Sequence, residues 1–258
     1  MKKILLTSIL FGALMLTATG ASSRARFGTY CQQKFQNNWQ TGFNYAWARC
    51  SRFNNELDDT DTKVFYRNLH GAKDEFEVDN DQNGMERVHL VYVNTHGGYM
   101  WHGRKNAVWA MWNNGVVARS KSMYLGNENY KLSILASYAC QTHKTSDDGV
   151  WVRWIRIFKG GLRISTGSHG TLWDGYTTDE CGEDFADDLQ GRMKIKYAWK
   201  SALSDWKVDQ DVAVFASGTS ANNCHSRKNH MKWQNFGSYP RLRNNNVHKI
   251  CWTTWNNL

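Results

Sequence analysis

Two near-continuous apolar segments constrain the fold of this chain more than any other feature. They are Arg87–Thr95, RVHLVYVNT, and Lys131–Ala139, KLSILASYA. Strands covered by helices on both faces of a parallel sheet have such unbroken apolar centres, whereas half-exposed strands alternate polar and apolar residues. We therefore expect both segments to be central strands of a buried sheet.

Weaker strand-like segments alternate with helix-like segments along the rest of the chain. The further strand predictions are residues 26–31, 63–69, 162–168 and 211–218. The helix predictions are residues 43–57, 106–115, 147–161, 181–193 and 195–206. Strands that alternate with helices predict an α/β fold, with three layers in the order α-β-α around a mainly parallel central sheet.

The first 21 residues have the composition of a secretory signal peptide. Lys2 and Lys3 supply a positive start, a short apolar run follows, and small residues end the segment at Gly20 and Ala21. A membrane-spanning helix needs about 20 apolar residues, and this run is shorter. We expect a signal peptide over 1–21, one domain over 22–258, a secreted or periplasmic location, and no stable membrane insertion.

The formal charge of +9 does not by itself indicate a partner. The lysines and arginines are scattered, and no basic block or base-stacking motif of a nucleic-acid-binding protein stands out. A solvated basic surface accounts for the charge. We therefore expect no nucleic-acid partner, and the sequence leaves the oligomeric state open.

A residue that can take part in nucleophilic catalysis, as base or as nucleophile, follows each of the two central strands. His96 follows the first strand in VYVNTHGG, and Cys140 follows the second in LASYACQT. The carboxyl ends of neighbouring parallel strands meet at one edge of a sheet, so the two side chains would emerge together. A histidine can generate the thiolate that attacks a carbonyl carbon. Gly97 lets the backbone approach a substrate closely.

The order strand, His-Gly, strand, Ala-Cys resembles the clan CD cysteine peptidases, which include caspases, metacaspases, legumains, gingipains and clostripains. It is also similar to exported bacterial caspase-like proteins of unsettled function. The resemblance implies a caspase-haemoglobinase fold and a secreted endopeptidase that acts on a protein or peptide substrate without a cofactor. It implies Cys140 as nucleophile, His96 as general base and acid, and the amides of Gly97 and Cys140 as oxyanion donors.

In that clan the side chain before the cleaved bond sets specificity, so acidic residues near the pocket would suit a basic substrate residue. Asp174, in TLWDG, and Asp147 and Asp148, after the nucleophile, are the candidate substrate-binding residues. Acidic loop residues are more often simply solvated, and this second interpretation stays open.

The cysteine count leaves an alternative function open. Cys31, Cys50, Cys140, Cys181, Cys224 and Cys251 make an even set, which in an oxidising compartment suggests up to three disulfides. A bridge between Cys140 and Cys181 would remove the nucleophile. Together with the 13 tryptophans, it would favour a non-catalytic surface- or carbohydrate-binding protein on the same fold.

A structural calcium ion is a further hypothesis, carried by the segment DNDQNG. Asp79, Asp81 and Asn83 fit the opening of a calcium loop, but its twelfth position holds Leu90 instead of an acid. A tight turn explains the same residues equally well. For zinc, the chain has neither an HExxH nor a paired CxxC motif, and we expect no catalytic metal.

Overall fold

A computed structural model describes residues 24–33, 43–68, 71–77, 81–98 with the backbone of 99–100, 106–111, 117–127, 132–146, 149–204 and 210–258. The predicted signal peptide lies outside these ranges. So do Asp79, from the calcium hypothesis, and two of the predicted substrate-binding residues, Asp147 and Asp148.

The described residues form ten strands and five α-helices. The strands are β1 (Arg26–Cys31), β2 (Thr62–Asn68), β3 (Leu90–Asn94), β4 (Gly97–Met100), β5 (Asn106–Ala110), β6 (Val117–Arg119), β7 (Ile134–Tyr138), β8 (Ile164–Ser168), β9 (Val212–Gly218) and β10 (Lys249–Trp255). The helices are α1 (Ala46–Asp58), α2 (Val150–Lys159), α3 (Cys181–Gln190), α4 (Ile195–Ser204) and α5 (Ala221–His230).

Seven of these strands form the central sheet, in the order β10-β9-β8-β7-β3-β1-β2. Neighbouring strands in the run β8-β7-β3-β1-β2 pair in parallel, and β9 runs antiparallel to both β8 and β10. The two apolar segments of the sequence are β3 and β7, neighbours near the middle. The predicted mainly parallel sheet is therefore confirmed.

The sheet is covered on both faces. On one face, Phe53 of α1 stacks on Tyr92 of β3 with ring centroids 4.5 Å apart, and Phe185 of α3 packs against Trp199 of α4. On the other face, Trp154 of α2 contacts Trp109 of β5 at 6.1 Å. Burial of apolar side chains on both faces explains the unbroken apolar centres of the middle strands, and it confirms the three-layer prediction.

The predicted helix over residues 106–115 is wrong in its first half, because Asn106–Ala110 is strand β5. It lies in a second, three-stranded antiparallel sheet with the order β4-β5-β6. Ala107 and Trp109 share the buried face of this strand, and the indole Nε1 of Trp109 donates to Ser137 Oγ at 2.6 Å. Two tryptophans three residues apart suggested a helix, but burial against α2 and β7 selects the period of a strand.

The last part of the chain adds two elements that the sequence pattern did not predict, α5 and β10. A disulfide between Cys224 of α5 and Cys251 of β10 joins them. Trp252 lies on the outer strand of the sheet and is 44% exposed. Both tryptophans of the terminal segment WTTWNNL, Trp252 and Trp255, thus belong to the outer strand β10.

Candidate active site

The pairing of β3 with β7 places His96 and Cys140 at the same edge of the central sheet. The two strands are parallel and in register through the pair Asn94 and Tyr138, and the N–H of Thr95 donates to Tyr138 O at 3.2 Å. His96 and Cys140 each follow this last pair by two residues. The direction of strand order reverses between β1 and β3, beside this edge, where α/β proteins bind ligands.

Gly97 lies against the backbone of the nucleophile. A β-carbon on Gly97 would lie 2.6 Å from Cys140 O and 2.8 Å from the β-carbon of Ala139, so no larger residue fits without movement. The N–H of Ala110 donates to His96 O at 2.9 Å. Hydrogen-bonding directions alternate along an antiparallel pair, so the N–H of Gly97 points away from β5.

The sulfur of Cys140 lies beside the backbone of Leu172, in the loop after β8. The N–H of Leu172 donates to Sγ at 3.3 Å, and Sγ lies 3.6 Å from Leu172 O. Burial raises the pKa of the Cys140 thiol, and the backbone N–H groups of Leu172 and of Cys140 itself oppose that rise without cancelling it. The resting group is therefore a neutral thiol, and the N–H of Leu172 favours its anion.

The turn that carries Cys140 is held by the strand and loop of β8. Gln141 has a φ of +53°, a backbone conformation that costs free energy in residues other than glycine. Its N–H donates to Gly170 O at 2.8 Å, and the N–H of His143 donates to Ser168 O at 2.8 Å. These bonds fix the left-handed residue directly after the nucleophile.

His143 belongs to the support of this turn. Its ring is fully buried, with Nε2 2.9 Å from Ser165 Oγ and the ring centroid 4.3 Å from that of Trp154. Burial holds the pKa of His143 well below its usual range. A neutral histidine packed in this way has a structural role.

The ring of His96 packs against Phe43, with centroids 4.9 Å apart. Phe43 lies just before α1 and also contacts the ring of Tyr138 at 6.2 Å. The guanidinium of Arg49, fully buried in α1, lies 4.3 Å from the Tyr138 ring centre and 5.0 Å from that of Phe43. Phe43, which precedes α1, thus packs its ring directly against the ring of His96.

Asp174, one predicted substrate-binding residue, is an ion-pair partner of Arg49. It also accepts a hydrogen bond from the N–H of Tyr45 at 3.3 Å, and Arg49 Nη1 donates to Thr178 Oγ1 at 2.7 Å. These contacts join the loop after β8 to α1. The Asp174 carboxylate thus has its ion pair and hydrogen bond within the protein, without a substrate. Its role in substrate specificity stays a prediction.

All six cysteines lie in the described residues, and Cys224–Cys251 is the one disulfide among them. Cys140 and Cys181 are not bridged, so the arrangement that would remove the nucleophile is not formed. Cys181 is buried, and burial raises the pKa of its thiol to about 12.

The described residues contain no group of three or more His, Cys, Asp and Glu side chains placed to hold a metal ion. Asp81 and Asn83, from the calcium hypothesis, lie in a short 3-10 helix, where Asp81 is buried and Asn83 exposed. Among the helices of the described ranges, none has the length and apolarity of a membrane span.

Comparison with known proteins places the chain in a family. The model of a family described as a domain of unknown function, DUF6345, matches residues 30–256. The chain belongs to this family. The DUF6345 chain is also similar to a solved structure of pro-sf-caspase-1, with 9% identity, a TM-score of 0.43, and coverage of 70% of this chain and 77% of that one. No curated protein matches it.

Three residues near the candidate dyad of this DUF6345 chain were not predicted from its sequence. Phe43 packs against His96, the backbone of Leu172 contacts the Cys140 sulfur, and the guanidinium of Arg49 lies against the rings of Phe43 and Tyr138. Phe43 and Leu172 are ordinary apolar residues of loops, and nothing in the sequence marks them. Arg49 had a detectable signal, because a lone arginine on the apolar face of a predicted helix requires a buried acidic partner.

Proposed function

We propose that this chain is a secreted cysteine endopeptidase that cleaves peptide bonds with a dyad of His96 and Cys140. The observation that carries the proposal is the register of β3 and β7, from which both residues follow at equal distance along the chain. The unbridged state of Cys140 supports the same assignment.

The first step is attack of the Cys140 sulfur on the carbonyl carbon of the scissile peptide bond. Because burial raises the pKa of the thiol, His96 acts as a general base that removes the proton as the carbon–sulfur bond forms. The carbonyl electron pair moves onto oxygen. When it returns, the carbon–nitrogen bond breaks, the leaving amine takes the proton from His96, and a thioester remains.

The thioester is then hydrolysed by water. His96 removes a proton from the water, the hydroxide oxygen bonds to the carbonyl carbon, and the sulfur leaves and recovers its proton. The backbone N–H groups of Gly97 and Cys140 are the proposed donors to the oxyanion in both steps. The direction of the Gly97 N–H, away from β5, supports its assignment.

Substrate specificity and export complete the proposal. Asp174, Asp147 and Asp148 are proposed to favour a basic residue before the cleaved bond. The disulfide between Cys224 and Cys251 supports a secreted or periplasmic location, since such bonds persist in oxidising compartments. The predicted signal peptide over 1–21 is the proposed means of export.

A peptidyl acyloxymethyl ketone tests the dyad directly, because a thiol that an adjacent base activates displaces its carboxylate group and becomes bonded to its methylene carbon. Incubated with the mature protein and followed by intact-mass and peptide mass spectrometry, it should label Cys140, fastest with arginine or lysine at the first position. His96→Ala should slow labelling about 100-fold, and Cys140→Ala should abolish it.

Cys181→Ala is the matched control, because that buried thiol has a pKa of about 12 and should take no label in the folded protein. Labelling of Cys181→Ala at the wild-type rate is expected. A Cys140 that stays unlabelled in the folded protein, or reacts equally fast in His96→Ala, would contradict the peptidase proposal.

One observation favours the alternative, a non-catalytic carbohydrate-binding protein. Trp173 directly follows Leu172, whose backbone contacts the Cys140 sulfur, and 57% of Trp173 is exposed. Exposed aromatic rings can stack on sugars. An unreactive Cys140 combined with polysaccharide binding that Trp173→Ala abolishes would establish this function in place of the first.

A further inference from the structure

A cavity of about 610 Å³ opens at the amino-terminal edge of the central sheet, opposite the edge that carries Cys140. It is bordered by the residues that precede three parallel strands, Ala25, Asp61 and His89. Its volume lies in the usual range of small-molecule sites. Strand β3 separates the cavity from the candidate dyad by five residues, about 17 Å at the rise of a strand. We call it the amino-edge cavity.

One wall of the amino-edge cavity is aromatic. Trp233 and Phe236, in the 3-10 segment after α5, stack with centroids 5.2 Å apart and an interplanar angle of 23°. Phe236 in turn contacts the His89 ring at 5.1 Å. Trp233 is only 3% exposed and its face is covered by Phe236, so the rings open to a ligand are those of the half-buried Phe236 and His89.

Two arginines give the cavity its charge. Arg24 and Arg192 line it from different elements, and both are exposed. Within the described part of the chain, neither has an ion pair. The one carboxylate of the lining, Asp61, already accepts hydrogen bonds from Trp233 Nε1 at 2.7 Å and from Thr60 Oγ1 at 3.1 Å.

His89 adds a hydrogen-bond donor to the lining. The N–H of Arg26 donates to His89 Nδ1 at 3.1 Å, so the neutral ring carries its proton on Nε2. Burial, with the charges of Arg241, Arg26 and Arg163, lowers the pKa of His89 to about 4. The ring is therefore neutral near pH 7, and the positive groups around it favour an anion in the cavity.

The backbone conformation of Arg192 is a further observation, independent of the charges that line the cavity. Arg192 has a φ of +64°, in the left-handed turn after α3, whereas the preceding Gly191 has an ordinary φ of −62°. Glycine or asparagine is the usual residue at such a position. Arg192 is thus a left-handed residue other than glycine in the lining of the cavity, and such residues cluster at ligand sites.

We propose that the amino-edge cavity is a second ligand site, which binds a small molecule with a planar ring and an anionic group, either a carboxylate or a phosphate. The ring lies against Phe236 and His89, with the buried Trp233 behind Phe236. The anion is held by the guanidinium groups of Arg24 and Arg192. This proposal is independent of the proposed peptidase activity, because no residue of the dyad takes part in it.

Isothermal titration calorimetry with matched probes tests the proposal on the mature protein. Adenosine 5′-monophosphate is compared with adenosine and with inorganic phosphate, and indole-3-acetate with indole-3-acetamide. We expect at least one of the two ring anions to bind about tenfold or more tightly than its neutral counterpart, and more tightly than phosphate alone. Which of the two binds distinguishes phosphate from carboxylate recognition.

Arg192→Asn is the decisive variant, because asparagine tolerates the left-handed backbone and should leave the melting temperature unchanged or raised. It should weaken binding of the anion about tenfold and leave the neutral probe unaffected. Arg156→Gln, an exposed arginine of α2 on the other face of the sheet, is the control. Cys140→Ala should bind as the wild type does.

Two results would overturn the proposal. One is the absence of binding by both ring anions at millimolar concentration, measured on folded wild-type protein. The other is unchanged affinity in Arg192→Asn together with equal affinity for charged and neutral probes, which would assign any binding to another surface.

Discussion

Gly97 and Cys140 are packed so closely that a single β-carbon on Gly97 would lie 2.6 Å from the carbonyl oxygen of Cys140. This contact joins the turn after β3 to the turn after β7, and so fixes the two halves of the candidate dyad relative to each other. The glycine of the His-Gly motif therefore has a packing role as well as its proposed role as an oxyanion donor.

Gly97→Ala should destabilise the protein by about 1–3 kcal/mol, because the added carbon forces the two turns apart. Urea denaturation followed by circular dichroism measures this change. Gly98→Ala is the matched control, since a β-carbon there meets only Val108 Cγ2, at an ordinary 3.7 Å. Equal effects of the two substitutions would contradict the packing role.

Asp174→Asn should destabilise the protein by about 3–5 kcal/mol, because it leaves the buried guanidinium of Arg49 without its counter-charge. Denaturant midpoints of the two proteins give the difference. Asp179→Asn, at a partly exposed ion pair with Arg52, should cost at most about 1 kcal/mol. A small effect at Asp174 would show that Arg49 is balanced by Thr178 and the aromatic rings instead.

Stability should fall as the pH is lowered from 6.5 towards 4, and His89 is one cause. Its pKa is about 4 in the folded protein, below the 6.5 of a free histidine, so the unfolded chain takes up a proton in this range before the folded chain does. Above pH 6.5 both states are neutral and the full stability is present. Urea midpoints measured from pH 7 to pH 4 should decrease.

His89→Gln should flatten this pH dependence, since glutamine does not titrate. His143 contributes in the same direction, because its pKa is also lowered by burial, so part of the slope should remain in the variant. An identical slope in wild type and His89→Gln would show that His89 is accessible to protons in the folded protein.

Removal of the disulfide by Cys224→Ala with Cys251→Ala should destabilise the protein by about 3 kcal/mol, since the bond closes a loop of 27 residues between α5 and β10. Dithiothreitol should lower the wild-type midpoint to a similar extent and leave the double variant unaffected. A further decrease in the variant would reveal a second bridge, for which Cys31 and Cys50, two buried thiols that interact with each other, are the available pair.

The sequence by itself determined the layer architecture and the positions of the candidate dyad. Unbroken apolar segments occur where a strand is buried on both faces, and this local property is visible in Leu90–Asn94 and Ile134–Tyr138. The prediction that His96 and Cys140 share an edge needed one further assumption, that the two strands are parallel neighbours, which the strand order confirms.

Only the tertiary structure decided the surroundings of these residues. The strand at Asn106–Ala110, Phe43 against His96, the Arg49–Asp174 pair and the amino-edge cavity all depend on contacts between segments far apart in the chain. Local periodicity carries no information about such contacts. They are set by which faces the folded sheet buries, and by the need of buried charges for partners.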